Sequence, residues 1–233
     1  MFVWQSLFLE YLGSIQKMKL EGKKVAFLGD SITYGVGASS PETSYVGVFA
    51  KESGAQTFNF GISGTRIARQ LKPSDCPDFD ECFKDRAEKI PTDMDVVVIF
   101  GGTNDFGHGD ARFGCFEDRD EYSFYGALHA LLQMLITKYP RAYIVYMTPL
   151  HRLSEAKTVN EIGIPCHPLK DYVAAIREVC EYYSIPVVDL FSISGMQPGI
   201  PIVKEIYMPD GLHPSDEGAK RLAELLLSHL RAV

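Results

Sequence analysis

The feature that most constrains the fold is a run of β-branched residues, Val96-Val97-Val98-Ile99, inside the segment Asp95 to Phe100. A strand with one wet face alternates apolar and polar residues. An unbroken apolar run of strand length marks a strand covered on both faces, as in a parallel sheet between helices. The rest of the chain fits that arrangement. Lys24 to Leu28 is a short apolar run ending at Gly29, and Thr57 to Phe60 is a shorter one. Ala142 to Met147 and Pro186 to Leu190 complete five candidate strands. Helical patterns fall between them. One starts at Ser40-Pro41-Glu42, with proline in the first turn, and runs to Gly54. Another spans Glu121 to Tyr139, with Leu128, Leu131, Leu132, Leu135 and Ile136 on one stripe. Leu169 to Tyr183 and Ser215 to Leu230 follow. Strand–helix alternation predicts a three-layer α/β domain around a mostly parallel sheet.

One such domain accounts for residues 23–233. Residues 1–22 precede it, and 1–17 read as an appendage, a short amphipathic helix on the surface or at a subunit contact. They carry scattered apolar residues but no basic start, and Glu10 interrupts them, which is a poor secretory signal. Three stretches, 72–92, 106–120 and 148–168, have weak periodicity and read as substrate-shaping insertions. The net charge of −7 argues against nucleic acid or an anionic membrane as the main partner. No run approaches the roughly 18 apolar residues of a membrane span. Five cysteines leave one unpaired in any full disulfide scheme, and no C-x-x-C suggests a zinc site. Cys76 and Cys82 are close enough in sequence to bridge, but reduced thiols in a cytoplasmic protein are the preferred reading. Nothing in the pattern sets an oligomeric state.

In a parallel sheet, ligands sit beyond the carboxyl ends of the strands. Gly29-Asp30-Ser31 follows the first strand, Gly61-Ile62-Ser63-Gly64 the second and Gly102-Thr103-Asn104-Asp105 the third. Asp210-Gly211-Leu212-His213 precedes the last helix. Acyl transfer to a serine needs a nucleophile, a base, an acid to hold the base and donors for the oxyanion. Ser31 sits where a hydroxyl can project from a turn. Of six histidines, only His213 has a carboxylate three residues before it in a turn-like segment. Asp210 could then accept from Nδ1–H and leave Nε2 free for the serine proton. Glycine lets a backbone N–H approach a substrate, and an asparagine amide is a neutral donor. The plainer alternatives are a capping serine at Ser31, a Pro-Asp-Gly turn at Asp210 and a self-satisfied loop asparagine at Asn104.

These four ordered blocks resemble the SGNH (GDSL) hydrolases, and the resemblance covers roughly residues 23–231. It implies the three-layer flavodoxin-like fold with a five-stranded parallel sheet, and a serine esterase or acylhydrolase working through an acyl-enzyme without a cofactor or metal. Residue by residue, it implies Ser31 as nucleophile and Asp210 and His213 as acid–base pair. The N–H of Ser31, the N–H of Gly64 and the amide of Asn104 would form the oxyanion hole, Gly61 being the alternative register for the glycine. Asp30, Asn59 and Asp105 read as supports for their turns. His108 and His151 lie near the strand ends and read first as solvated loop histidines. Arg66 and Arg152 are candidates to meet a carboxylate or sugar. The expected substrate is a small soluble acyl ester, with an O-acetylated carbohydrate among the candidates.

Other readings compete. A lipase or thioesterase of the same family would use the same residues. A non-catalytic carbohydrate-binding module of the same fold would usually have lost Ser, His or Asp, and none is lost. A flavin or nucleotide binder would need a phosphate cradle after the first strand. Asp30 stands there instead, and neither G-x-G-x-x-G nor a Walker loop occurs. No G-x-S-x-G surrounds Ser31, so it is not a nucleophile elbow.

Overall fold

The computed structural model describes residues 18–233, and the expected appendage at 1–17 lies outside the described residues. Five strands form one all-parallel sheet in the order β2-β1-β3-β4-β5. They are β1 (Lys24–Gly29), β2 (Gln56–Gly61), β3 (Val96–Phe100), β4 (Tyr143–Met147) and β5 (Val187–Val188). Every residue of β3 is buried, as its unbroken β-branched run predicts. The chain winds outward from β1 to β2, then crosses to β3 and winds the other way. That reversal puts a topological switch point between β1 and β3.

The pleat sorts the core into two halves. Ala26, Leu28, Val97, Ile99 and Tyr146 face one cluster, which is covered by α3 (Phe83–Glu88), α5 (Phe124–Lys138) and α6 (Leu169–Tyr182). Val25, Phe27, Val96, Val98, Phe100, Val145 and Met147 face the other, covered by α2 (Tyr45–Ser53) and α9 (Asp216–Arg231). Helix α9 presents Leu222, Ala223, Leu226 and Leu230 on one stripe, spaced to face the sheet. Residues 18–22 also pack on this domain. Leu20 is buried in the second cluster, and the Gly22 N–H donates to Gly54 O at 2.9 Å.

Some boundaries differ from the pattern. Helix α2 starts at Tyr45 rather than at Pro41, because the Ser44 hydroxyl accepts from Gly47 N–H and so caps the helix there. Residues 40–43 form a turn, with Thr43 N–H donating to Ser40 O. Helix α5 starts at Phe124, capped in the same way by Ser123. Strand β5 is two residues long, because Thr148 Oγ1 takes the Phe191 N–H and donates to Asp189, which turns the chain away from the edge. Short helices also occupy stretches with no clear period: α1 (Ser31–Tyr34), α3, α4 (Thr103–His108), α7 (Leu190–Ile193) and α8 (Pro201–Tyr207). All five cysteines are unpaired, including Cys76 and Cys82. Among the described residues, no helix is long and apolar enough to cross a membrane.

Candidate active site

Ser31 is the first residue of α1, directly beyond β1 at the switch point. Asp30 caps that helix, its carboxylate accepting the Ile32 N–H at 3.0 Å. Burial pushes the Asp30 carboxyl up to about 6, against the opposing pull of that hydrogen bond and of the His213 and Arg86 charges. Asp30 therefore spends its oxygen on the turn that aims Ser31, and no proton transfer is needed to explain its presence.

Ser31 Oγ lies 3.0 Å from His213 Nε2. His213 Nδ1 lies 2.7 Å from Asp210 Oδ2. The other oxygen of Asp210 accepts the backbone N–H groups of Leu212 and His213, at 2.8 and 2.7 Å. Burial works to raise the Asp210 pKa. The hydrogen bonds from the His213 ring and from these N–H groups outweigh it and hold the carboxyl below its usual range. An ionised Asp210 fixes the ring with Nδ1 protonated and Nε2 turned to the serine.

The loop carrying this pair is tied on several sides. Gly211 is left-handed at φ 81, its N–H donates to Met208 O and its carbonyl accepts from Leu153 N–H. Ser215 caps α9 and bonds back to Ile206 and Tyr207. From the serine side, Gly37 at φ 93 lets the chain pass close behind the histidine. A Cβ there would come within 2.4 Å of Pro214 O. Ser39 and Thr43 then bond the Asp216 carboxylate in the first turn of α9. Ser31 and His213 are 182 residues apart in sequence, and this contact binds their loops together.

Beyond β2, Ile62 to Thr65 form a tight turn with Gly64 left-handed at φ 76. Among the described residues no acceptor meets the N–H of Gly64 or of Ser31. Asn104, buried in the first turn of α4, donates one amide hydrogen to Thr65 O at 3.0 Å and keeps the other. That bond locks the asparagine rotamer to the Gly64 turn. The buried Asp105 carboxylate accepts the N–H groups of Ile67 and Ala68, at 3.0 and 2.9 Å, and burial raises its pKa to about 6. Asn59 donates to Thr33 O and accepts the Gly61 N–H, joining the end of β2 to α1. Gly61 itself is a packing glycine. A Cβ there would lie 2.2 Å from Tyr34 N.

The remaining candidates lie elsewhere. His108 is in α4, not a solvated loop. Burial pushes its pKa down to about 4, and its Nδ1 sits 3.1 Å from Arg66 Nη1. His151 pairs with Glu155 and packs against Phe191. Arg66 and Arg152, expected to meet a carboxylate or sugar, are instead buried and spend their guanidinium groups on the protein itself. Arg66 bonds His108 and Phe79 O, and Arg152 bonds Thr103 and Glu161.

Sequence reasoning missed Arg86. It is buried on α3, inside the stretch read as an insertion, and donates to Gly29 O, Phe60 O and Thr65 Oγ1. It thus ties together the ends of β1 and β2 and the Gly64 turn. The apolar spacing Phe83, Ala87, Ile90 is the one signal that marks its helix in the sequence.

A Ser–His–Asp relay at the carboxyl edge of a parallel sheet, with the serine opening a helix and no nucleophile elbow, is the arrangement of a serine hydrolase. Residues 27–221 match the model of the GDSL-like lipase/acylhydrolase family, and the chain belongs to that family. An acetylxylan esterase of Xylanibacter ruminicola is 26% identical over 95% of this chain, which spans 46% of that protein's length. A solved structure of a protein from Lactobacillus plantarum is 32% identical with a TM-score of 0.77, covering 91% of this chain and 98% of that one. A lipase/acylhydrolase from Enterococcus faecalis, 20% identical, shares the fold at a TM-score of 0.62 over 90% of this chain and 96% of its own.

Proposed function

We propose that this chain is a serine esterase that cleaves a small acyl ester through an acyl-enzyme, with an O-acetylated carbohydrate as the favoured substrate class. The observation that carries the reading is the 3.0 Å contact of Ser31 Oγ with His213 Nε2, backed by the 2.7 Å contact of His213 Nδ1 with Asp210. In the first half-reaction His213 takes the Ser31 proton as Oγ attacks the ester carbonyl. The carbonyl oxygen gains charge and is met by the N–H of Ser31, the N–H of Gly64 and the unused hydrogen of Asn104. Collapse expels the alcohol, which leaves with the proton from His213. Water, deprotonated by the same imidazole, then attacks the acyl-enzyme and releases the acid and free Ser31. Asp210 keeps one tautomer throughout and stabilises the imidazolium that forms twice per cycle. Asp30, Asn59 and Asp105 act as supports, holding the three turns in register.

One point favours an acetylated carbohydrate over a long-chain lipid. The relative from Xylanibacter ruminicola is an acetylxylan esterase. The test is acetate release from acetylated xylo-oligosaccharides and from p-nitrophenyl acetate. The wild type should release acetate from both, and Ser31→Ala from neither. Unchanged release by the variant would remove the reading.

A further inference from the structure

We propose that Phe79 is the specificity-determining side chain on the acyl side of the cleft, confining the acyl group to about acetyl size; this rests on the esterase reading above. The carbon under attack carries four substituents in the tetrahedral intermediate. One is Ser31 Oγ. The oxyanion faces Ser31 N–H, Gly64 N–H and Asn104. The leaving oxygen must lie within reach of His213 Nε2 to take its proton, so the alcohol faces the His213 loop. The acyl group takes the remaining direction, along the Gly64 turn and away from the histidine.

Phe79 stands against that turn. A Cβ built on Gly64 would lie 2.9 Å from Phe79 Cγ and Cδ2 and 3.2 Å from Cδ1, so the ring rests on the α-carbon of the oxyanion glycine. Both residues are only partly buried, so the ring is a surface of the cleft rather than part of the core. An N–H donor reaches an oxyanion over about 2.9 Å. A ring in contact with the residue that carries the donor therefore stands close to the reacting carbon. On this proposal the wall leaves room for a methyl group, and a chain of several methylenes meets the ring.

The ring is also held. Phe79 ends a 3-10 turn, Pro77–Phe79, and its N–H donates to Cys76 O. Its carbonyl accepts from Arg66 Nη2 at 3.0 Å, while Arg66 Nη1 reaches His108 Nδ1 and His108 O. Asp80 accepts two bonds from Ser74 N–H and one from Gln70. Phe83 N–H donates to Arg66 O, and so closes the strap on its other side. Arg66 follows Gly64 by two residues, so one short segment carries both the oxyanion donor and the anchor of the wall beside it. Arg66 is in this sense a positioning residue for the acyl pocket.

The experiment compares kcat/KM for p-nitrophenyl acetate, butyrate and hexanoate in the wild type, Phe79→Ala, Phe79→Leu and Arg66→Met. One methylene in a tight pocket changes such ratios by about tenfold or more. The wild type should favour acetate. Phe79→Ala should raise the hexanoate-to-acetate ratio of kcat/KM by about tenfold, and Phe79→Leu should fall between. Arg66→Met should move the profile in the same direction by loosening the ring. Folded Phe79 variants that keep the wild-type chain-length profile would overturn the proposal. So would a change in alcohol preference, p-nitrophenyl against 1-naphthyl acetate, with the acyl profile unmoved. If the wild type hydrolysed none of these esters, the esterase reading itself would fail, and Phe79 with it.

Discussion

At the residue scale, the same chemical type does different work depending on burial. Asp210 is partly exposed and held ionised by its hydrogen bonds, whereas Asp30 and Asp105 are buried and pushed up to about 6. The sign of the consequence is definite. A carboxyl whose folded pKa lies above its unfolded value binds its proton more tightly when folded. It therefore costs stability as pH rises from about 4 to about 6, and the full cost remains above that range. Asp30→Asn keeps an oxygen for the Ile32 N–H and removes the charge. It should be more stable than the wild type at pH 8, by at most ~3 kcal/mol, and the gain should vanish near pH 4. Thermal melts at the two pH values check this. On the proposed mechanism Asn104→Ala removes one oxyanion donor, and it should lower kcat by about 100- to 1,000-fold with KM little changed. A drop confined to KM would mean that Asn104 binds the ground state instead.

At the element scale, the site depends on short pieces that sequence patterns hardly register. The strands and long helices were legible because burial on one or both faces leaves a period in the sequence, as in Val96 to Ile99 or the stripe of α9. Helices α1, α3 and α4 are too short to complete a stripe, and they are specified by contacts made far along the chain. Gly29-Asp30-Ser31 and Asp210 to His213 were legible as motifs, and the structure brings Ser31 and His213 together. Arg86 was not, because nothing around it announces that its guanidinium will end beneath β1 and β2. It is buried with Nε unpartnered, and burial pushes its pKa down to about 10. Removing such a cation strands the carbonyls of Gly29 and Phe60 and leaves Asp30 without its nearby positive charge. Arg86→Met should therefore cost about 3–5 kcal/mol in a denaturant titration. A neutral result would show that water replaces the guanidinium.

At the scale of the whole molecule, the sheet order places three turns side by side at the switch point, and α9 delivers the fourth from the far end of the chain. Stability and catalytic geometry are coupled through that helix. Leu226→Ala removes a fully buried side chain from the stripe facing the sheet. It should cost about 2–5 kcal/mol, read as a fall in Tm. With no disulfide present, dithiothreitol should leave Tm unchanged, and a drop on reduction would reveal a cross-link. On the proposed mechanism one serine, made reactive by a histidine far along the chain, carries the acyl group. That is tested most directly by reacting the protein with a fluorophosphonate and mapping the adduct by mass spectrometry. A single adduct should form on the peptide containing Ser31, absent in Ser31→Ala and strongly slowed in His213→Ala. An adduct elsewhere, or labelling of Ser31→Ala at the wild-type rate, would contradict it.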